Sequence, residues 1–216
     1  MLVSHQHQFL FVHIAKTGGT SVRKALSHYR WDPKYGIPQF MVNKLSQLCR
    51  HKLGCRFPRH AKVIAAKEML PAEYFSKLFK FTFVRNPWDL QVSSYYHIKR
   101  ERPEVMQGYE NFADFMRWKL DPDRPYQYHI DTSMQLQSDY LVDLQGQLCM
   151  DRIGKYESLQ QDFDAICERV GIVPPSLPHI RQAKDREDYR SYYNDELAEA
   201  VGRYFSKDIQ ILGYQF

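Results

Sequence analysis

The sequence predicts an α/β protein built on a central, mostly parallel sheet with helices on both faces. Three observations predict it. Short apolar, β-rich runs alternate with segments of helical periodicity along the chain. The first run, QFLFVHI at 8–14, ends at a glycine loop that leads into a helical segment, the strand–loop–helix order of α/β units. The clearest strand, KFTFVR at 80–85, runs directly into a strong helix start.

In chain order, the strand at 8–14 gives way to AKTGGTS (15–21) and then to VRKALSHY with helical character. Residues 30–59 are punctuated by Pro33, Gly36, Pro38, Gly54 and Pro58, with one helix expected inside them at VNKLSQLCRHKL. KVIAA (62–66) reads as a second strand and PAEYFSKLF (71–79) as a helix with Pro71 near its first turn. After the strand at 80–85, Asn86 is placed to cap a helix over 87–101, with Pro87 at its first position and Asp89 as the acid of the first turn. NFADFMRWKL and SMQLQSDYLVDL (133–144) read as helices, and MDRIGKYE (150–157) as a strand. SLQQDFDAICERVG (158–171) reads as a helix capped by Ser158 and stopped by Gly171, and NDELAEAVGRYFSKDIQIL as a closing helix.

The 216 residues suit a single domain over 1–216, and 44% hydrophobic residues supply a core. Thirty basic against twenty-five acidic side chains give +5, too small an excess to argue for nucleic acid by itself but compatible with a small polyanionic ligand. No apolar run approaches the roughly 18 residues needed to cross a bilayer. The N-terminal run reads as a buried strand rather than a signal peptide, so a cytoplasmic location is expected. Cys49, Cys55, Cys149 and Cys167 form no C-x-x-C pair and are expected as free thiols.

Two motifs carry chemistry. In Ala15-Lys16-Thr17-Gly18-Gly19-Thr20-Ser21 the paired glycines let the backbone approach an anion, and Thr17, Thr20 and Ser21 add hydroxyl donors. Lys16 precedes the glycines, whereas the lysine of an ATPase phosphate loop follows them. The second motif, Arg85-Asn86-Pro87-Trp88-Asp89-x-x-Val92-Ser93, puts a guanidinium at a strand end and a serine hydroxyl two turns into the next helix, both within reach of one anion. Each alone has a bland reading, a glycine turn beside an exposed lysine or a salt-bridged arginine beside a surface serine. In a parallel sheet both loops leave carboxyl ends of strands, where ligands bind. The pair therefore predicts two anion sites for one doubly phosphorylated nucleotide.

FVHIAKTGGTS and FTFVRNPWDLQVSSYY resemble the 5′-phosphosulfate and 3′-phosphate motifs of sulfotransferases that use 3′-phosphoadenosine-5′-phosphosulfate (PAPS), in the branch holding carbohydrate 2-O-sulfotransferases and their bacterial relatives. The likeness continues through IGKYESLQQDF and the tail from YRSYYNDEL onward. It implies a three-layer, P-loop-type sulfotransferase fold with a central, mostly parallel sheet. It implies PAPS as co-substrate, 3′-phosphoadenosine-5′-phosphate (PAP) as product, no metal, and in-line transfer of a sulfuryl group to an acceptor hydroxyl, with a saccharide favoured and other small molecules left open. It places Lys16 at the bridging oxygen, Thr17 to Ser21 around the 5′-phosphate, and Arg85 with Ser93 on the 3′-phosphate. It favours His60 as general base; Glu68 is an alternative, and His51, His97 and His129 are weaker ones. His13, beside the glycine loop, is read as a support for it.

Tyr156 and Glu157 fall at a family-typical turn, with a packing role equally open. Arg181, Lys184 and Arg186 are candidates to close over the nucleotide, although no R-K-G triplet is present. The spacing of Cys49, His51, Cys55 and His60 matches no common zinc pattern. Two competing classes remain on the sequence, a nucleotide-dependent kinase and a non-catalytic nucleotide- or nucleic-acid-binding domain; neither nucleic acid nor a membrane span is expected.

Overall fold

The structure, a computed structural model, describes residues 1–30, 57–178 and 186–216, with Met41, Leu45 and Leu48 between the first two stretches. Strand β1 (Leu2–Ser4) runs antiparallel to β2 (Phe9–Val12), with Leu2 opposite Phe11. The glycine loop follows β2 and opens into α1 (Gly19–Ala25). Helices α2 (Val63–Met69) and α3 (Ala72–Lys77) precede β3 (Phe79–Val84), which lies parallel to β2 with Phe9 opposite Phe79 and Val12 opposite Thr82. Next come α4 (Pro87–Glu101), α5 (Phe112–Leu120) and α6 (Tyr128–Asp131). Strand β4 (Arg152–Lys155) pairs parallel to β3, and α7 (Leu159–Arg169), α8 (Asp195–Tyr204) and α9 (Ser206–Leu212) complete the chain. Among the described residues the strand order is β1-β2-β3-β4.

Period-two alternation explains how the sheet is covered on both sides. Phe9 and Phe11 of β2 join Phe81 and Phe83 of β3 against Val22, Leu26 and the Phe163, Ile166 and Cys167 stripe of α7. Leu10 and Val12 join Val84 in a second core with Val63 and Ala66 of α2, Phe75 of α3 and Tyr140. Each fully buried phenylalanine or leucine here contributes about 1.5–3 kcal/mol. A third core packs Trp88, Val92 and Tyr95 of α4 on Phe115 and Met116 of α5 and on Leu197 and Val201 of α8. That cluster holds fixed the helix that follows the second motif.

Several expectations are corrected. KVIAA is not a strand: β2 and β3 pair directly with one another and leave no place between them, so Val63 and Ala66 bury as i and i+3 of a helix. The first strand is Leu2–Ser4, which the sequence reading did not include; it pairs antiparallel at the edge, and the sheet is mostly parallel as expected. Residues 133–144 are not one helix; they hold a short 3₁₀ turn at Ser138–Tyr140, because the buried Asp208 carboxylate accepts from the N–H groups of Gln137 (2.7 Å) and Ser138 (2.9 Å). The closing helix breaks at Phe205 into α8 and α9. Ser158 makes no side-chain cap; its hydroxyl donates to Asp162 at 2.7 Å. Asn86 caps α4 as expected, accepting from the Trp88 N–H at 3.1 Å, and Gly171 stands at φ +69° just past α7. The helix expected at VNKLSQLCRHKL, with Cys49, His51 and Cys55, lies largely outside the described residues, as do Arg181 and Lys184. Cys149 and Cys167 are free thiols. Among the described residues no helix is long and apolar enough to cross a membrane.

Candidate active site

The glycine loop turns sharply because two of its residues depart from ordinary backbone. Lys16 takes φ +67° and Gly18 φ +77°, left-handed conformations that cost a side-chain-bearing residue about 1–2 kcal/mol and glycine almost nothing. Gly19 is needed for a different reason. A Cβ there would stand 2.1 Å from Cδ2 of His13, a side chain buried at the end of β2. The loop is thus wrapped onto His13, whose ring also stacks on Phe11.

Arg85, at the end of β3, is 4% exposed and held from every side. Its Nε donates to Asp89 at 2.6 Å, its Nη1 donates to the Lys16 carbonyl at 3.0 Å, and its guanidinium lies 3.7 Å over the Tyr156 ring. The Gln137 amide clamps its backbone, accepting from the Arg85 N–H (2.9 Å) and donating to the Arg85 carbonyl (2.7 Å). Asp89 also pairs with Arg186, so one carboxylate is shared by two guanidiniums. Burial pushes the pKa of each arginine down to about 10, and the Arg85 charge adds to the effect on Arg186. Arg85 and Arg186 share Asp89, and the Glu157 carboxylate also acts on Arg85; the cavity wall beside them carries Lys16, Arg59 and Arg85 and, among the described residues, no acid, the electrostatics of an anion site.

His60 meets the glycine loop from the other side. Its Nδ1 lies 3.0 Å from the His13 carbonyl oxygen, and the two rings are 4.7 Å apart. A carbonyl only accepts, so Nδ1 carries the proton and Nε2 keeps its lone pair. Burial, chiefly, lowers the His60 pKa from its usual 6.5 and outweighs the raising effect of that hydrogen bond. His13 is lowered further, again by burial first and by His60 next, and its Nδ1 has no hydrogen-bond partner among the described residues.

One cavity of about 530 Å³ joins these parts. Lys16, Gly18, Gly19, Thr20, Ser21, His60, Arg85 and Ser93 all line it, together with His13, Arg59 and Tyr156. Thr17 stands apart from its expected place: its hydroxyl is buried and donates to the Ile14 carbonyl at 3.1 Å, so it braces the loop. Ser21 donates to the Pro178 carbonyl at 2.7 Å. His97 and His129 line the cavity, Glu68 does not, and Glu157 instead accepts from the Asn86 N–H (2.8 Å) and the Tyr214 hydroxyl (3.1 Å). The described lining residues include no carboxylate. Cations, hydroxyls and a glycine loop without blocking Cβ atoms fit a phosphorylated nucleotide, and the volume lies within the range of small-molecule sites. Sequence reasoning missed Gln137, because it fell in a segment read as helix, and missed that Asp89 serves two arginines. Nothing in the local sequence signals either.

A mostly parallel α/β sheet whose glycine loop and next strand end share one cationic cavity defines a protein suited to a small polyanion at the carboxyl edge of its strands. The chain belongs to the sulfotransferase family, whose model matches residues 1–215. It is a PAPS-dependent sulfotransferase, with PAP as the product. Among solved structures it is similar to the mouse sulfotransferase SULT7A1 complexed with PAP, at 16% identity and TM-score 0.47, over 97% of this chain and 87% of that one. It is also similar to a retinol dehydratase in complex with androsterone and inactive cofactor PAP, at 12% identity and TM-score 0.39, over 98% of this chain and 83% of that one. No curated protein matches the chain.

Proposed function

We propose that this enzyme sulfates a hydroxyl of a saccharide, with His60 as general base and Lys16 as the donor that stabilises the leaving group. The observation that carries the reading is the His60–His13 hydrogen bond at the wall of the cavity that also holds Lys16, Arg85 and Ser93. It fixes the tautomer whose Nε2 can accept a proton, and the lowered pKa keeps that nitrogen neutral at physiological pH.

PAPS supplies, when bound, a sulfuryl group activated by its anhydride link to phosphate. Lys16, on the loop that packs against His13, is the ammonium assigned to the bridging oxygen. Arg85 and Ser93 are assigned to the 3′-phosphate, with Asp89, Gln137 and Tyr156 holding the guanidinium in place. Gly18, Gly19, Thr20 and Ser21 are assigned to the 5′-phosphate. His60 Nε2 takes the acceptor's hydroxyl proton as the oxygen attacks.

The remaining cavity wall supports a polar acceptor. Arg59, His97, Tyr128, His129 and Thr132 offer donors and an aromatic face, the means by which proteins hold hydroxylated rings. Radiolabelled PAPS offered with a panel of saccharides, phenols and steroids tests the proposal. Label on a saccharide hydroxyl is the expected result; label confined to phenols or steroids overturns it. Titration with PAP, run in parallel with Ser93→Ala, tests the nucleotide assignment: a weaker complex for the variant supports it and an unchanged one removes it.

A further inference from the structure

Lys119 is 1% exposed, on the inner face of α5, and has no role in the site as described above. Its ammonium donates to three neutral oxygens: Gln91 Oε1 at 2.6 Å, Ser133 Oγ at 2.8 Å and Ser94 Oγ at 3.1 Å. Among the described residues no carboxylate comes within ion-pairing distance of it. Asp131, the acid whose charge acts on it, is taken by Arg124 through two contacts of 2.5 and 3.2 Å and by the Gln127 N–H at 2.6 Å. Buried lysines are rare unless a counter-charge is present, because desolvating an ammonium is costly. The groups that act on this one are Arg124 and Lys16, both cationic, and the already neutralised Asp131. In the ligand-free protein the charge therefore lacks compensation, and burial first, with Arg124 next, holds the Lys119 pKa well below its usual range.

Two of its three acceptors are residues of the cavity wall. Ser94 and Ser133 both line the cavity, one on α4 beside Ser93 and the other just after α6. With a lone pair of each hydroxyl occupied by the ammonium, each hydroxyl proton must go elsewhere. Ser133 spends its proton on the Ile130 carbonyl, 2.8 Å away. Ser94 stands 2.8 Å from Ser133 Oγ, and its proton has two destinations, that oxygen or an acceptor in the cavity. Gln91 completes the arrangement: its Nε2 donates to the Ser133 carbonyl at 2.9 Å, which leaves its oxygen turned to the lysine.

We propose that Lys119 is a positioning residue for the anionic co-substrate: a buried amine, protonated against the bound polyanion, that polarises Ser94 so that the Ser94 hydroxyl donates to an anionic oxygen of the nucleotide. This rests on PAPS being the co-substrate. The polyanion supplies the counter-charge that the fold withholds, and a hydroxyl already bonded to an ammonium is a stronger donor than one bonded to a neutral group.

The test compares wild type with Lys119→Met, Ser94→Ala and the double variant, each titrated with PAP and with adenosine at one ionic strength, and each melted without ligand. PAP affinity is expected to fall roughly tenfold to a hundredfold in either single variant, in line with the loss of a hydrogen bond to a charged group. Adenosine affinity stays unchanged, and the double variant falls no further than Lys119→Met alone. Ligand-free Lys119→Met melts at or above the wild-type temperature. PAP affinity unchanged in both single variants, or lost in equal measure for adenosine, overturns the proposal and makes the network a packing device. If Lys119→Met does not fold, Ser94→Ala decides by the same comparison. A wild-type protein that binds no PAP instead overturns the co-substrate assignment, and the proposal with it.

Discussion

The imidazole of His60 is tied to the main chain of His13, Nδ1 to carbonyl oxygen at 3.0 Å, across 47 residues of sequence. The bond joins the start of the segment leading into α2 to the end of β2, and it orients the proposed base against the loop that carries Lys16.

The rate should follow the neutral form of His60. Its pKa is lowered from 6.5, so kcat/KM is expected to rise with pH along a limb whose midpoint lies below 6.5 and to level off by neutrality. His60→Ala is expected to lower kcat by roughly 10²–10⁴-fold and to leave PAP affinity near wild type. Steady-state pH profiles and PAP titration check both; an acid limb that survives in the variant assigns the base elsewhere.

Stability should fall on mild acidification. His13 and His60 both have lowered pKa values in the fold, so below about pH 6.5 the unfolded chain binds protons that the native state excludes. Their contribution is complete above 6.5 and is lost as pH falls below 6.5 through their lowered folded-state values. The Met1 amino group, pushed down to about 5 by burial, acts in the same direction from higher pH. Denaturant melts at pH 7.5, 6.5 and 5.5 check this, and His13→Gln is expected to flatten the slope between the last two.

Gly19→Ala should destabilise the fold by about 1–3 kcal/mol through overpacking against the His13 ring. The double variant with His13→Ala should lose less than the sum of the two single variants, because the ring that blocks the methyl group is gone. Additive losses in chemical denaturation would show that the close approach is not the cause.

Asp89→Asn leaves Arg85 and Arg186 facing one another without their shared carboxylate. Loss of one partner of a buried ionic cluster costs about 3–5 kcal/mol. PAP is expected to raise the melting temperature of this variant more than that of wild type, since a bound phosphate replaces the missing charge. Equal shifts in the two proteins count against an anion site at Arg85.

Lys16→Ala should lower turnover on the order of 10²–10³-fold, as expected when one donor to a developing anion is removed. The melting temperature is expected to stay the same or rise slightly, because alanine occupies the left-handed φ no worse than lysine does. Single-turnover rates with saturating PAPS separate this from a loss of binding.

The glycine loop, the Arg85–Ser93 motif, the alternating Phe-rich strands and the capped start of α4 were legible because each depends on contacts a few residues apart. A glycine pair, an arginine ending a strand and an Asn-Pro start carry their geometry with them. KVIAA misled because a five-residue apolar run has no period long enough to separate strand from helix; the direct pairing of β2 with β3 made that choice. The same holds within the site. Gln137 reaches the Arg85 backbone, and Asp208 reaches Gln137, over separations of 52 and 71 residues. Lys119 looks in sequence like one more surface cation of an amphipathic helix, and packing of α5 on α4 buried it behind Ser94. The sequence by itself picked out the glycine loop and the Arg85–Ser93 pair that share one cavity, since local stereochemistry marks them. Only the tertiary structure decided which nitrogen of His60 holds the proton and which carboxylates are already spent, because those depend on desolvation and on partners that the chain brings together only when it folds.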